Sequence, residues 1–427
     1  LRAWDVQGNE QTINLGQDVS APVAYVGQNM RPYVFDNQLF VTNRDVVVKK
    51  GAAPDTSSSA TGLASSLEGV GVVYCLGGLF SRTYRMTVRF SNGSTVNCAY
   101  TTPDGTQPGH ASDTGADKIM ERLASAFNGN SSKPGTASVR RTGSTIGISD
   151  TANTFTVTVS DDEDNTALRA YTTRVDAVED LAETSFHGMI VQVTGSDAGS
   201  EDDFYLRFNS NAGDGLGAWY GSGGVWEEWT NVTEVTALDL NTMPHVLEKT
   251  GENTFTLRRG DWLPRRVGDE TTNPFPDFVG HPIRDINGFQ SRLVVVGGPA
   301  CCMSRSKKPF DFFKESAVTD LETDPVNITS TEDGSVRLDW IIPFDRDLVF
   351  MADPGDGQYI ITGISKLTPE NASMVKTTSF EMRGGAKPVE TGKTVLFPFQ
   401  SGKFSGIKEF FTNDEVATNG ADTINET

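Results

Sequence analysis

A chain of 427 residues is too long for one hydrophobic core, and 37% hydrophobic with 22% charged residues suits a soluble protein of about two to four domains. Its 36 Lys and Arg against 56 Asp and Glu leave a net charge of −20 and a pI of about 4.6, which argues against nucleic-acid binding over a broad face, because phosphate contacts need a positive surface. No apolar run reaches the roughly 18 residues that a membrane-spanning helix needs. The start at Leu1 shows no signal-peptide pattern, and both ends read as cut.

In chain order, "KKGAAPDTSSSATGLASS" (49–66) is short of large apolar residues and reads as an exposed loop. "RTYRMTVRFSNGSTVNCAYTT" (82–102) alternates on both sides of an "SNGS" turn and predicts a hairpin. Within 112–128, Ala116, Ile119, Met120, Leu123, Ala124 and Phe127 recur at helical spacing behind a cap at Asp113 or Thr114. "NTFTVTVSDDEDNT" (153–166) predicts a strand ending in an acidic turn, and "AVEDLAE" (177–183) a short helix, so a small α+β domain is expected over about 81–180. "GAWYGSGGVWEEW" (217–229) reads as a half-buried hairpin, and "GDETTNPFPDF" (268–278) as a rigid connector, because each proline fixes its own φ and restricts the residue before it. A short pattern recurs at Phe35-x-x-x-Leu39, Phe289-x-x-x-Leu293 and Phe344-x-x-x-Leu348: an aromatic, a polar turn, a strand. Its last two copies lie 55 residues apart, about the length of a four-stranded propeller blade.

Residues capable of chemistry do not assemble in this pattern. His110, His187, His245 and His281 lack metal-ligand spacing, and Cys75, Cys98, Cys301 and Cys302 show neither zinc spacing nor a disulfide framework, so reduced, partly buried thiols are expected in a protein made in a cytoplasm. His110, Ser112 and Asp113 lie within one loop, whereas triads assemble across a fold. Glu227 and Glu228, flanked by Trp226 and Trp229, are a weak carbohydrate-cleaving candidate beside the plainer reading of core tryptophans. The acids at 161–164 and 201–203 lack the spacing of a calcium loop and read as solvated tips. "GDGLG" (213–217) lacks the strand and helix of a phosphate cradle. Arg305, Lys307 and Lys308 form a basic run that either meets an anionic partner or, more commonly, ends an exposed hairpin. No catalytic residue, cofactor or metal site is expected.

An ordered series of segments carries more information. "LDLNTMPHVLEKTGENTFTL" (238–257), "WLPRRVGDETTNPFPDFVG" (262–280), "IRDINGFQSRLVVVGG" (283–298), "MSRSKKPFDFF" (303–313) and "TDPVNI" (323–328) resemble, in this order, the tail tubular protein B family, the nozzle proteins of short-tailed bacteriophages. The resemblance covers about 20–350; its motif residues here are Thr242, Met243, Pro244, His245, Gly268, Asp269, Asn273, Pro274, Pro276, Phe278, Gly280, Arg292 and Leu293. Gln290 and Ser291, before Arg292, depart from an Asn-Arg-Leu run, the Cys301–Cys302 pair is unusual, and the chain looks shorter than a full member.

The resemblance implies a mainly β, multidomain fold: a propeller-like β platform with inserted α+β and β domains. The expected division is 1–80 and 261–427 for the two parts of the platform, 81–180 for the α+β insertion and 181–260 for the β insertion. It also implies a non-enzymatic virion protein at the distal end of the tail, assembled in the host cytoplasm as a hexamer. Its partners would be a tail adaptor of the tail tubular protein A type, a tail fibre, the host envelope at the tip, and genomic DNA passing through a gated lumen without sequence-specific binding. The alternatives are a receptor-binding or polysaccharide-cleaving tail spike, which would show a long β-helix repeat, and a calcium-bound adhesin.

Overall fold

A computed structural model describes every residue except 22, 53–68, 163–165, 196–202, 211–216, 222, 331–335, 345, 354–356, 363–365, 384, 414–417 and 424–427. The chain is mainly β and divides into two compact units. The first comprises Leu1–Ala52, Val235–Arg266 and Asn273–Thr427, the second Ala53–Glu234 and Val267–Thr272.

The first unit opens with β1 (Ala3–Trp4), β2 (Glu10–Leu15), β3 (Met30–Phe35) and β4 (Gln38–Asn43). The chain then builds the second unit from β5 (Val70–Cys75), β6 (Thr83–Phe90), β7 (Thr95–Thr101), α1 (Ala116–Asn128), β8 (Ala137–Thr142), β9 (Thr145–Asp150), β10 (Phe155–Ser160), β11 (Leu168–Tyr171) and β12 (Arg174–Val175). It continues with β13 (Ser185–Phe186), β14 (Ile190–Val193), β15 (Phe204–Ser210), β16 (Trp219–Tyr220) and β17 (Gly224–Trp229). β18 (His245–Gly251) and β19 (Thr254–Arg259) return to the first unit and complete its first sheet, in the order β1-β2-β19-β18-β4-β3. The 181–260 block is therefore divided between the two units, and β5 belongs to the second.

Three antiparallel four-stranded sheets follow in chain order. They are β20 (Ile283–Phe289), β21 (Arg292–Gly297), β22 (Ala300–Met303) and β23 (Val326–Thr329); then β24 (Leu338–Phe344), β25 (Asp347–Ala352), β26 (Gln358–Ile361) and β27 (Val375–Thr378); then β28 (Val389–Glu390), β29 (Thr394–Ser401), β30 (Phe404–Asn413) and β31 (Thr418–Thr423). Each packs face to face on its predecessor. Phe40 and Val246 of the first sheet share a core with Ile286, Leu293 and Val295 of the second. Val294, Val296, Cys301 and Met303, on the second sheet's other face, meet Leu338, Ile341, Leu348 and Phe350 of the third. Trp340, Ile342, Val349 and Met351 then meet Val395, Phe397 and Phe410 of the fourth. Side chains alternate between faces along a strand, so a sheet buried on both faces needs an uninterrupted apolar run. That accounts for "RLVVVG", in which all six residues of β21 are buried.

The three copies of the short repeat each form a tight hairpin at one edge of a sheet: β3–β4 in the first, β20–β21 in the second and β24–β25 in the third. Phe35 pairs with Gln38, Phe289 with Arg292 and Phe344 with Asp347, each across a two-residue loop. Asp36 and Asn37 have φ of 48° and 61°, and Gln290 and Ser291 have 45° and 62°, the left-handed pair that matches strand twist. The departure at Gln290 and Ser291 is thus a change of turn residues.

In the second unit the predicted hairpin is β6–β7. The predicted helical face is buried on α1, where Ile119, Met120, Leu123, Ala124 and Phe127 pack with Met86, Val88, Val96, Ile146 and Ile148. The sheet β11-β5-β9-β8 serves two cores, because Val73 and Cys75 point into this one while Val72 and Tyr74 point into another with Val191, Leu206 and Phe208.

Three local expectations are corrected. The helix N-cap is Gly115, without a side-chain cap bond; Thr114 instead donates back to His110 O at 2.7 Å and Ser112 to Gly109 O at 2.6 Å, closing the turn before the helix. "AVEDLAE" forms only a 3-10 turn, Val178–Asp180. The tryptophan stretch is no hairpin, since β16 pairs with β13 and β17 with β15. In the 268–278 connector Asn273, Phe275, Pro276 and Phe278 are buried, and both phenylalanines join the core shared by the first two sheets. The 49–66 loop lies, from 53 onward, outside the described residues, as do 163–165, 201–202 and most of "GDGLG".

Candidate functional site: the motif segments and a buried arginine–carboxylate cluster

The TMPH residues bring the strand β18 into its sheet. Thr242 Oγ1 donates to Asp239 O at 2.8 Å and accepts from Lys49 N at 3.0 Å. Met243 is fully buried, and Pro244 O accepts the indole N–H of Trp262 at 3.0 Å. His245 stacks on Tyr25 with ring centroids 4.4 Å apart and 7° between planes, and its Nδ1 lies 3.0 Å from Met243 O. Burial disfavours the charged ring and holds its pKa below the ordinary 6.5.

In the GDxxTNPxPxFVG segment, Gly268 and Asp269 belong to the second unit. Gly268 takes a φ of +73° and donates to Trp229 O at 2.9 Å, while the Asp269 carboxylate accepts the N–H groups of Thr271 and Thr272, both at 2.9 Å, which closes an Asx turn. From Asn273 the segment belongs to the first unit. Asn273 pairs with the Lys314 backbone, accepting its N–H at 2.9 Å and donating to its carbonyl at 3.4 Å. Phe275 meets Phe313 edge-on at 5.2 Å, and Phe278 meets Phe312 at 5.3 Å and 87°. Arg265 covers Phe275 and donates to Asn273 O and Val235 O. Pro276 is buried and Pro274 exposed. At Gly280, φ is +92° and N–H donates to Val48 O at 2.9 Å.

Arg292 leaves β21 to clasp a loop. Its Nη1 donates to Ser304 O at 2.9 Å, Asp324 O at 2.6 Å and Thr323 O at 3.3 Å, and its Nη2 to Glu322 O at 2.8 Å. Leu293 is fully buried, and its N–H donates to Ser304 Oγ at 2.9 Å. The basic run beside it is a tight turn in which Arg305 and Lys308 pair antiparallel, with Lys307 and Lys308 exposed as expected of a hairpin end; Arg305 departs from that expectation, being buried and paired with Asp311 at 3.3 Å, with Glu315, and with Asp324 at 3.7 Å. Arg305 holds the Glu315 carboxyl below the usual carboxylate range.

The sequence reading missed the densest polar cluster, at one end of the first three sheets. Asp339, fully buried in β24, accepts from Arg44 at 3.1 Å, from Arg337 at 2.9 Å and from Arg284. Arg31 and Arg44 stack over the Trp340 ring at 4.0 and 4.3 Å. Burial and the neighbouring Arg284 lower the Arg44 pKa to about 10. Asp285 accepts Ile341 N at 3.1 Å and pairs with Lys387 at 3.3 Å; burial pushes its pKa up. The available signal was the placement of Asp285 in "IRDINGF" and Asp339 in "RLDWIIPF": an acid inside a strand whose neighbours are apolar is buried, and a buried carboxylate needs cations or N–H donors.

The remaining candidates stay apart. His110 pairs with Asp104 at 3.1 Å, and His187 accepts or donates at Ser210 at 3.0 Å. Glu227 and Glu228 are neighbours on β17 and point to opposite faces, so they cannot flank one glycosidic bond. Trp226 donates to Ala182 O at 3.0 Å inside the core, and Arg207 covers Trp229. Asp161 is buried and accepts the Ala167 and Leu168 N–H groups, which makes it a turn former rather than a solvated tip. Among the described residues no His, Cys, Asp and Glu side chains group as metal ligands. All four cysteines are buried and unpaired, and burial raises the Cys75 and Cys98 pKa to about 11, which keeps both thiols protonated.

Apart from the exposed Pro274, the motif residues located here pack a core or satisfy backbone polar groups, the chemistry of a structural scaffold. The chain belongs to the bacteriophage nozzle protein family, whose model matches residues 1–427. It is 24% identical over 423 residues to the tail tubular protein gp12 of Escherichia phage T7, covering 98% of this chain and 50% of that protein. The chain therefore spans about half the length of this curated relative. A solved structure from a study of two prolyl endopeptidases matches 88% of this chain and 53% of its own at 11% identity and a TM-score of 0.22, too low to carry an argument about fold or activity. The protein is a structural component of a phage tail, not an enzyme.

Proposed function

We propose that this chain forms the β platform of a hexameric nozzle at the distal end of a short phage tail. It docks below the tail adaptor, takes part in seating the tail fibres and lines a gated channel for DNA ejection, with the host envelope at the tip. The observation that carries this reading is the series of four sheets packed face to face through three successive cores, in a chain whose family is a nozzle. Stacking of one six-stranded and three four-stranded sheets, with the repeated hairpin in three of them, supports a propeller-like platform, a stiff body on which other tail proteins can seat. The second unit is the inserted domain. Gly268 to Gly280 carries the chain back to the platform, and we assign the rigidity of that return to Phe275 and Phe278 in the core as much as to Pro274 and Pro276.

A polyanion slides through a neutral or negative lumen without the stalling that a basic groove would cause, and the net charge of −20 supports an acidic channel. An assembled ring with a continuous Arg and Lys lining would overturn that part. The whole reading is tested by negative-stain imaging of the purified protein, alone and mixed with tail-less particles that carry the adaptor. Six-fold rings, or density added below the adaptor, are expected. Monomers that never attach, together with release of sugar from host surface glycans, would replace the nozzle reading with that of a polysaccharide-cleaving spike.

A further inference from the structure

The Asp339 cluster borders a cleft of about 520 Å³ where the second and third sheets meet, lined by His281, Pro282, Arg284, Pro299, Val336 and Arg337. Its walls are fixed by tight packing. A Cβ on Gly298 would come within 2.7 Å of the His281 ring, so the ring lies directly on the glycine backbone, and Leu338 N–H donates to Gly298 O at 2.9 Å. Both arginines are held from behind. Arg284 donates through Nε to Asp339 and through Nη1 to Arg44 O at 2.7 Å; Arg337 donates through Nε to Asp339 and through Nη2 to Asp353 O. The remaining Nη of each has no partner among the described residues.

The charge is unbalanced in a chain that is otherwise acidic. Arg31, Arg44, Arg284, Arg337 and Lys387 face Asp285, Asp339 and Asp353, five cations against three carboxylates. That excess matches one dianion, and a phosphate monoester carries about −1.5 to −2 at pH 7. Guanidinium N–H groups prepositioned by a buried carboxylate suit phosphate oxygens, and the proline and valine walls suit an apolar body beside them. The volume lies within the range of small-ligand pockets.

We propose that this cleft is a binding site for a phosphate monoester with an apolar body, its phosphate held by Arg284 and Arg337. The site is independent of the nozzle reading, since it needs no ring. The probe is phenyl phosphate, followed by thermal melting of the full chain at constant ionic strength, with inorganic phosphate and a short single-stranded DNA as parallel arms. A saturable rise in Tm is expected, with phenyl phosphate binding more tightly than inorganic phosphate. R337Q, which removes a half-exposed side chain, weakens binding at least tenfold while melting like the parent protein without ligand. V336D, which places a like charge on the apolar wall without touching the arginines, does the same and decides the matter should R337Q fold poorly. Equal binding by the parent and V336D overturns the proposal. So does a response to DNA alone, which would make the cleft a contact for a polymer backbone.

Discussion

Replacing Asp339 with Asn is the sharpest test of what holds the first unit together. Asp339 is fully buried and receives three arginines; Arg44 is itself buried, Arg284 has 14% of its side chain exposed and Arg337 has 44%. D339N keeps the shape and one acceptor, so Oδ1 still serves Arg44 and Arg284. Its amide nitrogen, however, then faces Arg337 Nε and Asp353 N, donor against donor, and three guanidinium groups lose the counter-charge they share. Breaking a buried ion pair costs about 3–5 kcal/mol, because the surviving charge stays desolvated. With three partners on one carboxylate the upper half of that range is expected. By contrast R337Q removes a side chain that is 44% exposed and leaves Asp339 paired with Arg44 and Arg284, so it is expected to cost about 1 kcal/mol or less. Urea unfolding followed by tryptophan fluorescence reads the difference, since Trp340 lies between Arg31 and Arg44 beside the cluster. A D339N protein within about 1 kcal/mol of the parent would refute the claim that this carboxylate ties the sheets.

Three further outcomes follow from particular residues. Phe278→Ala empties a fully buried site against Phe312 and is expected to cost about 3–5 kcal/mol in the same urea experiment, far more than Pro274→Ala at an exposed position. The folded-state pKa of His245 lies below 6.5, so the unfolded chain binds the extra proton. His245 therefore contributes stability above pH 6.5 that is lost as pH falls from that value toward the lower folded-state pKa, with a slope of at most about 1.4 kcal/mol per pH unit, the one-proton limit; H245F, compared with the parent between pH 7.5 and 5, removes that component. Gly280→Ala meets open space but must hold a φ of +92°, so it costs roughly 1–2 kcal/mol in thermal or urea unfolding, while Gly115→Ala, at an ordinary negative φ, is near neutral or mildly destabilising as a lost cap residue.

Much of this architecture was legible in the sequence where period and turn chemistry agree. The alternation around "SNGS", the apolar face of α1 and the recurring aromatic-turn-strand pattern each encode a local structure that its neighbours reinforce. Local encoding fails where a distant partner decides. "GVWEEW" looks like the second arm of a hairpin, yet its register is set by β15, whose residues Tyr205 to Ser210 pair along its whole length. "SRSKK" looks solvated, but Arg305 turns inward because Asp311 and Asp324, later in the chain, supply its counter-charges. The proline connector is similar. Its prolines are visible in sequence, whereas the aromatic anchors become meaningful only when Phe312 and Phe313 arrive from a separate segment. The Asp339 cluster lay furthest from view, since Arg44, Arg284 and Asp339 come from three sheets and only the strand placement of the acid hints at it.

The acidity of the chain has an architectural component that bears on the channel. Among the described residues eight aspartates are buried, against four arginines. At least half of these aspartates serve backbone N–H groups of nearby turns and loops: Asp150 accepts from Ala152 and Asn153, Asp161 from Ala167 and Leu168, Asp324 from Leu321 and Glu315, and Asp353 from Gly385. A protein built from short strands and long connections carries many backbone donors that no ladder satisfies, and a short carboxylate bonding to the nearby chain is the economical acceptor. Part of the negative charge thus follows from folding a loop-rich β protein and would be present whatever the protein did. An acidic lumen must accordingly rest on solvent-facing carboxylates alone. Exchanging exposed acids for their amides should change DNA passage without moving the unfolding midpoint, whereas amides at Asp161 or Asp324 should do the reverse.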